Sequence, residues 1–211
     1  MARSIVRIVL SLCFISFFYT TSAQNGTVDS TAIKQRAAMF AKFEPVLLYP
    51  LIKGSPASGV LPVTDVTEPI DPNLKYKILF DCTQGNAAQY KNGIVNDALQ
   101  EIGRIINLHK AAGVKDKNLE VTVVVHSIAS LTFLNDVSYQ KRYSRDNPNM
   151  EMVDQLLKAG AKIIVCGQTM MYREIENKDL IAGVKKAFSA RTALSTYLSK
   201  GFVMFPITEV R

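Results

Sequence analysis

The chain has 211 residues, 48% of them hydrophobic and 20% charged, with a formal net charge of +7. This composition is globular and excludes a disordered or collagen-like chain, and the length suits one domain with some sequence to spare. Three cysteines are too few for a disulfide scaffold, two histidines argue against a histidine-rich metal site, and the positive charge is too diffuse to imply nucleic acid.

Residues 1–23 carry Arg3 and Arg7, then an apolar run from Ile8 to Tyr19, then Thr21-Ser22-Ala23. That is the three-part layout of a secretory signal peptide, and the run is short for a bilayer span. The expectation is a mature chain that begins near Gln24, is secreted or periplasmic, has no stable membrane span and has a formal charge reduced to +5 by the loss of two arginines. Cys82 and Cys166 are then the remaining thiols, in a compartment where two cysteines can pair.

Residues 24–75 are irregular. A helical patch is expected over 30–43, where Ile33, Ala37, Phe40 and Ala41 share a face. Six of the eight prolines follow, at 45, 50, 56, 62, 69 and 72, a density that forbids a long helix or a central strand. Leu47, Leu48, Ile52, Val60 and Leu61 make the segment more apolar than a free linker, so it reads as an arm that wraps the domain that follows.

Regular patterning starts at Tyr76 and continues to the end, so 76–211 reads as the α/β domain. Tyr76–Asp81 is a short apolar run, a buried strand. The stretch 89–112 repeats apolar residues at helical spacing and stops at Gly113. Glu120–Val125 is a second strand, Ser130–Leu134 a short helix and Tyr139–Asn147 a polar loop. Asn149 is placed to cap a helix that runs to Ala159. Ala161–Val165 is the third strand, Ser189–Ser199 a helix and Phe202–Ile207 a last strand, which Pro206 ends or sets at an edge. Strands buried on both faces and joined by helices predict a mostly parallel sheet with helices on both faces, all strand ends on one rim.

That rim carries the chemistry. The first strand ends in Asp81-Cys82-Thr83, the second in His126-Ser127, the third in Cys166-Gly167-Gln168. If the first and third strands are neighbours, their cysteines come close enough for a disulfide or dithiol. Cys166 precedes a candidate helical turn whose amides favour the thiolate, and Arg173 adds positive charge nearby; a buried structural cysteine is the competing reading. His126 is suited to orienting or deprotonating a thiol. Thr83–Asn86 resembles the phosphate loop of flavodoxins, but a plain turn explains it better, and no cofactor or metal is assigned.

As a set, Tyr76–Asp81, Val124-Val125-His126-Ser127, Asn147-Pro148-Asn149, Ala159-Gly160-Ala161, Val165-Cys166-Gly167-Gln168, Gly183-Val184-Lys185 and Ser189–Leu194 resemble the DsrE/DsrF-like family, most closely its secreted members. The resemblance covers about residues 50–206. It implies a three-layer flavodoxin-like fold, a homo-oligomer (trimer or hexamer), and a sulfur donor or acceptor protein as partner. In sulfur-relay members a cysteine at the position of Cys166 carries a persulfide. The resemblance thus points to a sulfur carrier or sulfurtransferase with Cys166 and His126 as catalytic residues and Cys82, Gln168 and Arg173 in resolving or supporting roles. A non-catalytic binding or assembly module of the cell envelope is the alternative. The chain departs from its relatives at three places. Ser127 stands where the secreted branch usually has Gly, Glu174 replaces the Gly of a common Arg-Gly, and Thr169 occupies the position of a second cysteine.

Overall fold

The computed structural model describes residues 41–205 together with Gln35, Ala38, Met39 and Ile207. The expected signal peptide and most of the expected helix at 30–43 lie outside the described residues. Five strands form one sheet: β1 (Tyr76–Cys82), β2 (Leu119–Val125), β3 (Lys162–Cys166), β4 (Lys185–Ala187) and β5 (Val203–Phe205). Their spatial order is β4-β3-β2-β1-β5, and every pairing is parallel. The fold is α/β and flavodoxin-like, with helices on both faces.

The central strands are apolar runs because both faces are covered. Phe80, Cys82, Val123, Val125, Ile163 and Val165 face a large core with the buried residues of α2 (Asp97–Ala111) and α4 (Met150–Lys158). Leu79, Val124 and Cys166 face the other way, onto Ala190, Ala193 and Leu194 of α6 (Ala190–Ser199). One face is therefore thickly covered, and among the described residues the other carries a single ten-residue helix. On the thick side the layer continues outward. Leu48 and Val60 pair as an antiparallel bridge, and Ile52 packs fully buried in the core. Asn107 of α2 holds this segment with four hydrogen bonds. Its Oδ1 accepts from Leu51 and Ile52 amides, and its Nδ2 donates to the carbonyls of Ile52 and Ser58.

Five features differ from the sequence expectation. The helix expected over 89–112 is two, α1 (Ala87–Asn92) and α2. Gly93 takes φ 69°, a left-handed cap that ends α1, and Asn96 then caps α2 through the Ala98 amide. Those local signals outweigh the continuous apolar spacing. The expected loop at 139–147 begins inside α3 (Asp136–Tyr143), whose buried face is Ser138 and Tyr139, with the Tyr139 and Tyr143 rings 4.7 Å apart. Asn149 precedes α4 but does not cap it with its side chain. Its carboxamide instead accepts from the Asn96 amide at 2.7 Å and donates to Asn147. Lastly β4, Lys185-Lys186-Ala187, was not anticipated. An edge strand needs only main-chain pairing, and its exposed lysines protect the edge. Phe202–Ile207 shortens to β5, an edge strand that ends at Phe205, immediately before Pro206.

Candidate functional site

The parallel sheet brings Cys82, His126 and Cys166 to one rim, but the pleat separates them. Successive side chains alternate faces, so Cys82 lies with Phe80 in the thick core and Cys166 lies with Leu79 and Val124 under α6. The strands of the two cysteines are also not neighbours, because β2 runs between β1 and β3. Both thiols are free, and the geometry for a Cys82–Cys166 pair is absent. Cys82 is 1% exposed. Burial, with the Asp81 charge added, pushes its thiol up to about 12, against a smaller opposing hydrogen bond from the Gln84 amide.

Cys166 ends β3 at the start of α5 (Gly167–Tyr172). It too is buried, at 5% exposure. Burial raises its thiol, yet the net displacement is downward. The amide and hydroxyl of Thr169 and the amides of Ala190 and Gln168 are the groups that favour the thiolate, and together they outweigh burial. These groups come from the first turns of α5 and α6, which meet here. The close approach rests on Gly167. A Cβ there would lie 2.7 Å from the Ala187 carbonyl oxygen and 3.1 Å from that of Phe188, so only glycine lets β3 run this near the segment that leads into α6.

His126 continues β2 in extended conformation, and its amide donates to the Cys82 carbonyl. Its ring Nε2 lies 2.7 Å from Asp81 Oδ1. Asp81 is on Leu79's side of β1 and His126 on Val124's side of β2, the side that also carries Cys166. Val125 pairs with Val165 across β2 and β3, so the next residues, His126 and Cys166, are about one strand spacing, roughly 5 Å, apart along the rim. One face of three adjacent strands therefore carries Asp81, His126 and Cys166, with His126 level with Cys166 and Asp81 diagonal to it, beside Val124.

Arg173 and Gln168 take supporting positions. Arg173 Nε donates to the Ser127 carbonyl at 3.0 Å, so it ties the end of β2 to α5 and is not among the groups that lower the thiol. Gln168 favours the thiolate through its amide, and its side chain donates to the Phe188 carbonyl at 3.4 Å. Thr169 links the two elements directly. Its oxygen accepts from the Ser127 amide at 3.2 Å, and its amide and hydroxyl favour the Cys166 thiolate. The hydroxyl thus occupies the second-cysteine position and serves the first. The other two departures also have a backbone setting. Ser127 has φ 58° and Glu174 φ 52°, left-handed conformations that glycine adopts without strain.

Asp81, Thr169 and Ala190 were not singled out from the sequence as site residues. Asp81 was visible beside Cys82, but nothing in a doubly apolar strand showed which of the two shares a face with His126. Ala190 acts through its amide and carries no side-chain signal. The Thr83–Asn86 turn uses its polar groups internally. Asn86 caps α1 and the Gln84 carbonyl accepts from Asn96. A cavity of about 260 Å³ opens elsewhere, between the 53–55 segment and α4, lined by Lys53, Ser55, Glu151 and Met152 among others. Among the described residues no cluster of His, Cys, Asp or Glu is arranged to hold a metal ion, and no helix is long and apolar enough to cross a membrane.

Fold and site together define a parallel-sheet α/β protein with a thiol at a strand end, where a helix begins. The model of the DsrE/DsrF-like family matches residues 77–206, a range that holds every site residue above, and the chain belongs to that family. Among solved structures, it is similar to a protein of unknown function from Methanobacterium thermoautotrophicum, at 16% identity and a TM-score of 0.48, over 63% of this chain and 99% of that one. No curated protein matches the chain.

Proposed function

We propose that this chain is a secreted or periplasmic sulfur carrier that holds a sulfane sulfur on Cys166 as a persulfide. The observation that carries the reading is the place of Cys166, at the end of β3 where α5 begins and where Gly167 lets the segment leading into α6 come close, with its thiol displaced below the ordinary range. Thiolate is the nucleophile in sulfur exchange. Attack by Cys166 on the outer sulfur of a donor persulfide forms one S–S bond and breaks another, and the donor leaves as thiolate with no net oxidation of the pair. The groups that lower the thiol then favour the Cys166 thiolate as a good leaving group when the sulfur moves on. Export rests on the sequence of residues 1–23. Self-association is supported by large apolar side chains left exposed at the end of α5 and just before α6, with Tyr172 at 91% and Phe188 at 78% exposure.

One observation favours the alternative, a non-catalytic binding module, and that is the burial of Cys166. Alkylation rate against pH separates the two. A carrier labels at Cys166 below about pH 8, under the ordinary thiol range, and gains about 32 Da, the mass of one sulfur atom, from sodium polysulfide. Labelling of Cys166 only on unfolding would make it a packing residue and leave the binding module as the function.

A further inference from the structure

We infer that Asp81 is a positioning residue that sets His126 to receive the proton of an acceptor thiol. This rests on the persulfide reading of Cys166 and extends it to the class of acceptor.

The inference stands on geometry. Asp81, His126 and Cys166 lie on the same face of three successive strands. The Asp81 carboxyl oxygen sits 2.7 Å from His126 Nε2, so Nε2–H donates to it and the neutral ring keeps its free lone pair on Nδ1. The end of β2 is fixed on both sides of this ring. The His126 amide is bonded to β1, and the next residue, Ser127, is tied to α5 by Thr169 and Arg173. His126 thus has its tautomer set by Asp81 on one neighbouring strand, and its backbone lies about one strand spacing, roughly 5 Å, from Cys166 on the other, on the same face. Neither Asp81 nor His126 is fully buried, with side chains 30% and 22% exposed, so an incoming thiol can reach them.

The step balances without an outside oxidant. An acceptor thiol, R–SH, gives its proton to His126 Nδ1 as its sulfur attacks the outer sulfur of Cys166–S–SH. The new R–S–SH bond forms, the Cys166 S–S bond breaks, and its electron pair stays on Cys166 as thiolate. Products are R–S–SH, Cys166 thiolate and an imidazolium paired with Asp81. An acceptor with no proton to lose, such as the sulfite dianion, takes the same sulfur as thiosulfate without using His126. The geometry therefore predicts a protein tuned to thiol acceptors.

The test loads the full-length mature protein with sodium polysulfide, confirms the 32 Da gain at Cys166 by intact mass, and then follows its loss to 2-mercaptoethanol and, separately, to sulfite. The ratio of thiol to sulfite rate should fall about a hundredfold in His126→Gln, the lower end of what a placed general base supplies, and about tenfold or more in Asp81→Asn, which keeps the base but loses its orientation. A purely structural effect would move both rates together and leave the ratio alone. If wild-type protein loads and the ratio holds in Asp81→Asn, Asp81 has no such role although Cys166 remains a carrier. Should Asp81→Asn fail to fold, an unaltered ratio in His126→Gln would overturn the inference equally. A wild-type chain that never gains 32 Da at Cys166 overturns the carrier reading and this inference with it.

Discussion

Cys82 and Cys166 end two strands of one parallel sheet on the same rim, and both are nearly inaccessible to solvent. Their surroundings nevertheless oppose each other. Cys82 faces the thick layer, where α2, α4 and the 47–60 segment stack and where burial governs its ionisation. Cys166 faces the thin layer, where one helix starts directly over it and amides favour its thiolate. The difference teaches that burial by itself does not silence a thiol. The balance between lost water and gained donors decides, and in a pleated strand one residue of offset selects which balance applies.

Disrupting the thick layer should have the largest effect on stability. Asn107→Leu removes four hydrogen bonds that no other side chain provides and should destabilise the fold by about 3 kcal/mol. Urea titration gives the magnitude, and faster proteolysis near residues 47–60 shows where the loss falls. An unchanged midpoint with the segment still protected would mean that apolar docking of Ile52 suffices.

The two thiols should next show opposite pH linkage. Cys82→Ser puts a hydroxyl in an apolar pocket and should destabilise by about 2 kcal/mol. Against Cys82→Ala, wild-type stability should fall as pH rises above the ordinary thiol range, because only the unfolded chain loses that proton until about 12. Against Cys166→Ala, wild-type stability should rise as pH approaches that range from below, because the folded chain ionises first. Urea melts of the three proteins between about pH 7 and about pH 10 read both signs, near 1.4 kcal/mol per unit of separation at most. Parallel curves would erase the contrast between the faces.

The smallest effect concerns a defect of the thin layer. Thr122 shares Val124's face of β2, and its buried hydroxyl has no hydrogen-bond partner among the described residues. Thr122→Val should raise stability by about 1 kcal/mol, by replacing an unpaired polar group with one of the same shape. A loss of stability on thermal melting would show that the hydroxyl is satisfied.

Much of this was legible from the residues. Continuous Ile, Val, Leu and Phe runs announced the three central strands, and their alternation with helices announced a parallel sheet. The same runs hid the site's decisive feature. A strand apolar on both sides has no visible alternation, so Tyr76–Cys82 named Asp81 and Cys82 together without saying which one faces His126. Lys185–Ala187 gave no strand signal, since an edge is made by main-chain bonds. Residues 139–147 read as a loop because the buried face of α3 is built from a serine and a tyrosine rather than aliphatic residues.

The sequence by itself determined the class of fold, the family, and that Cys166 and His126 close strands on a common rim, because hydrophobic period and strand-end residue type are local properties. Only the tertiary structure decided that β2 separates the two cysteines, that Asp81 rather than Cys82 joins His126, and that the start of a helix 24 residues away in the chain packs Ala190 into the same cluster as Cys166. Strand order, pleat parity and the meeting of two helix starts depend on how distant segments pack, and no local pattern records them.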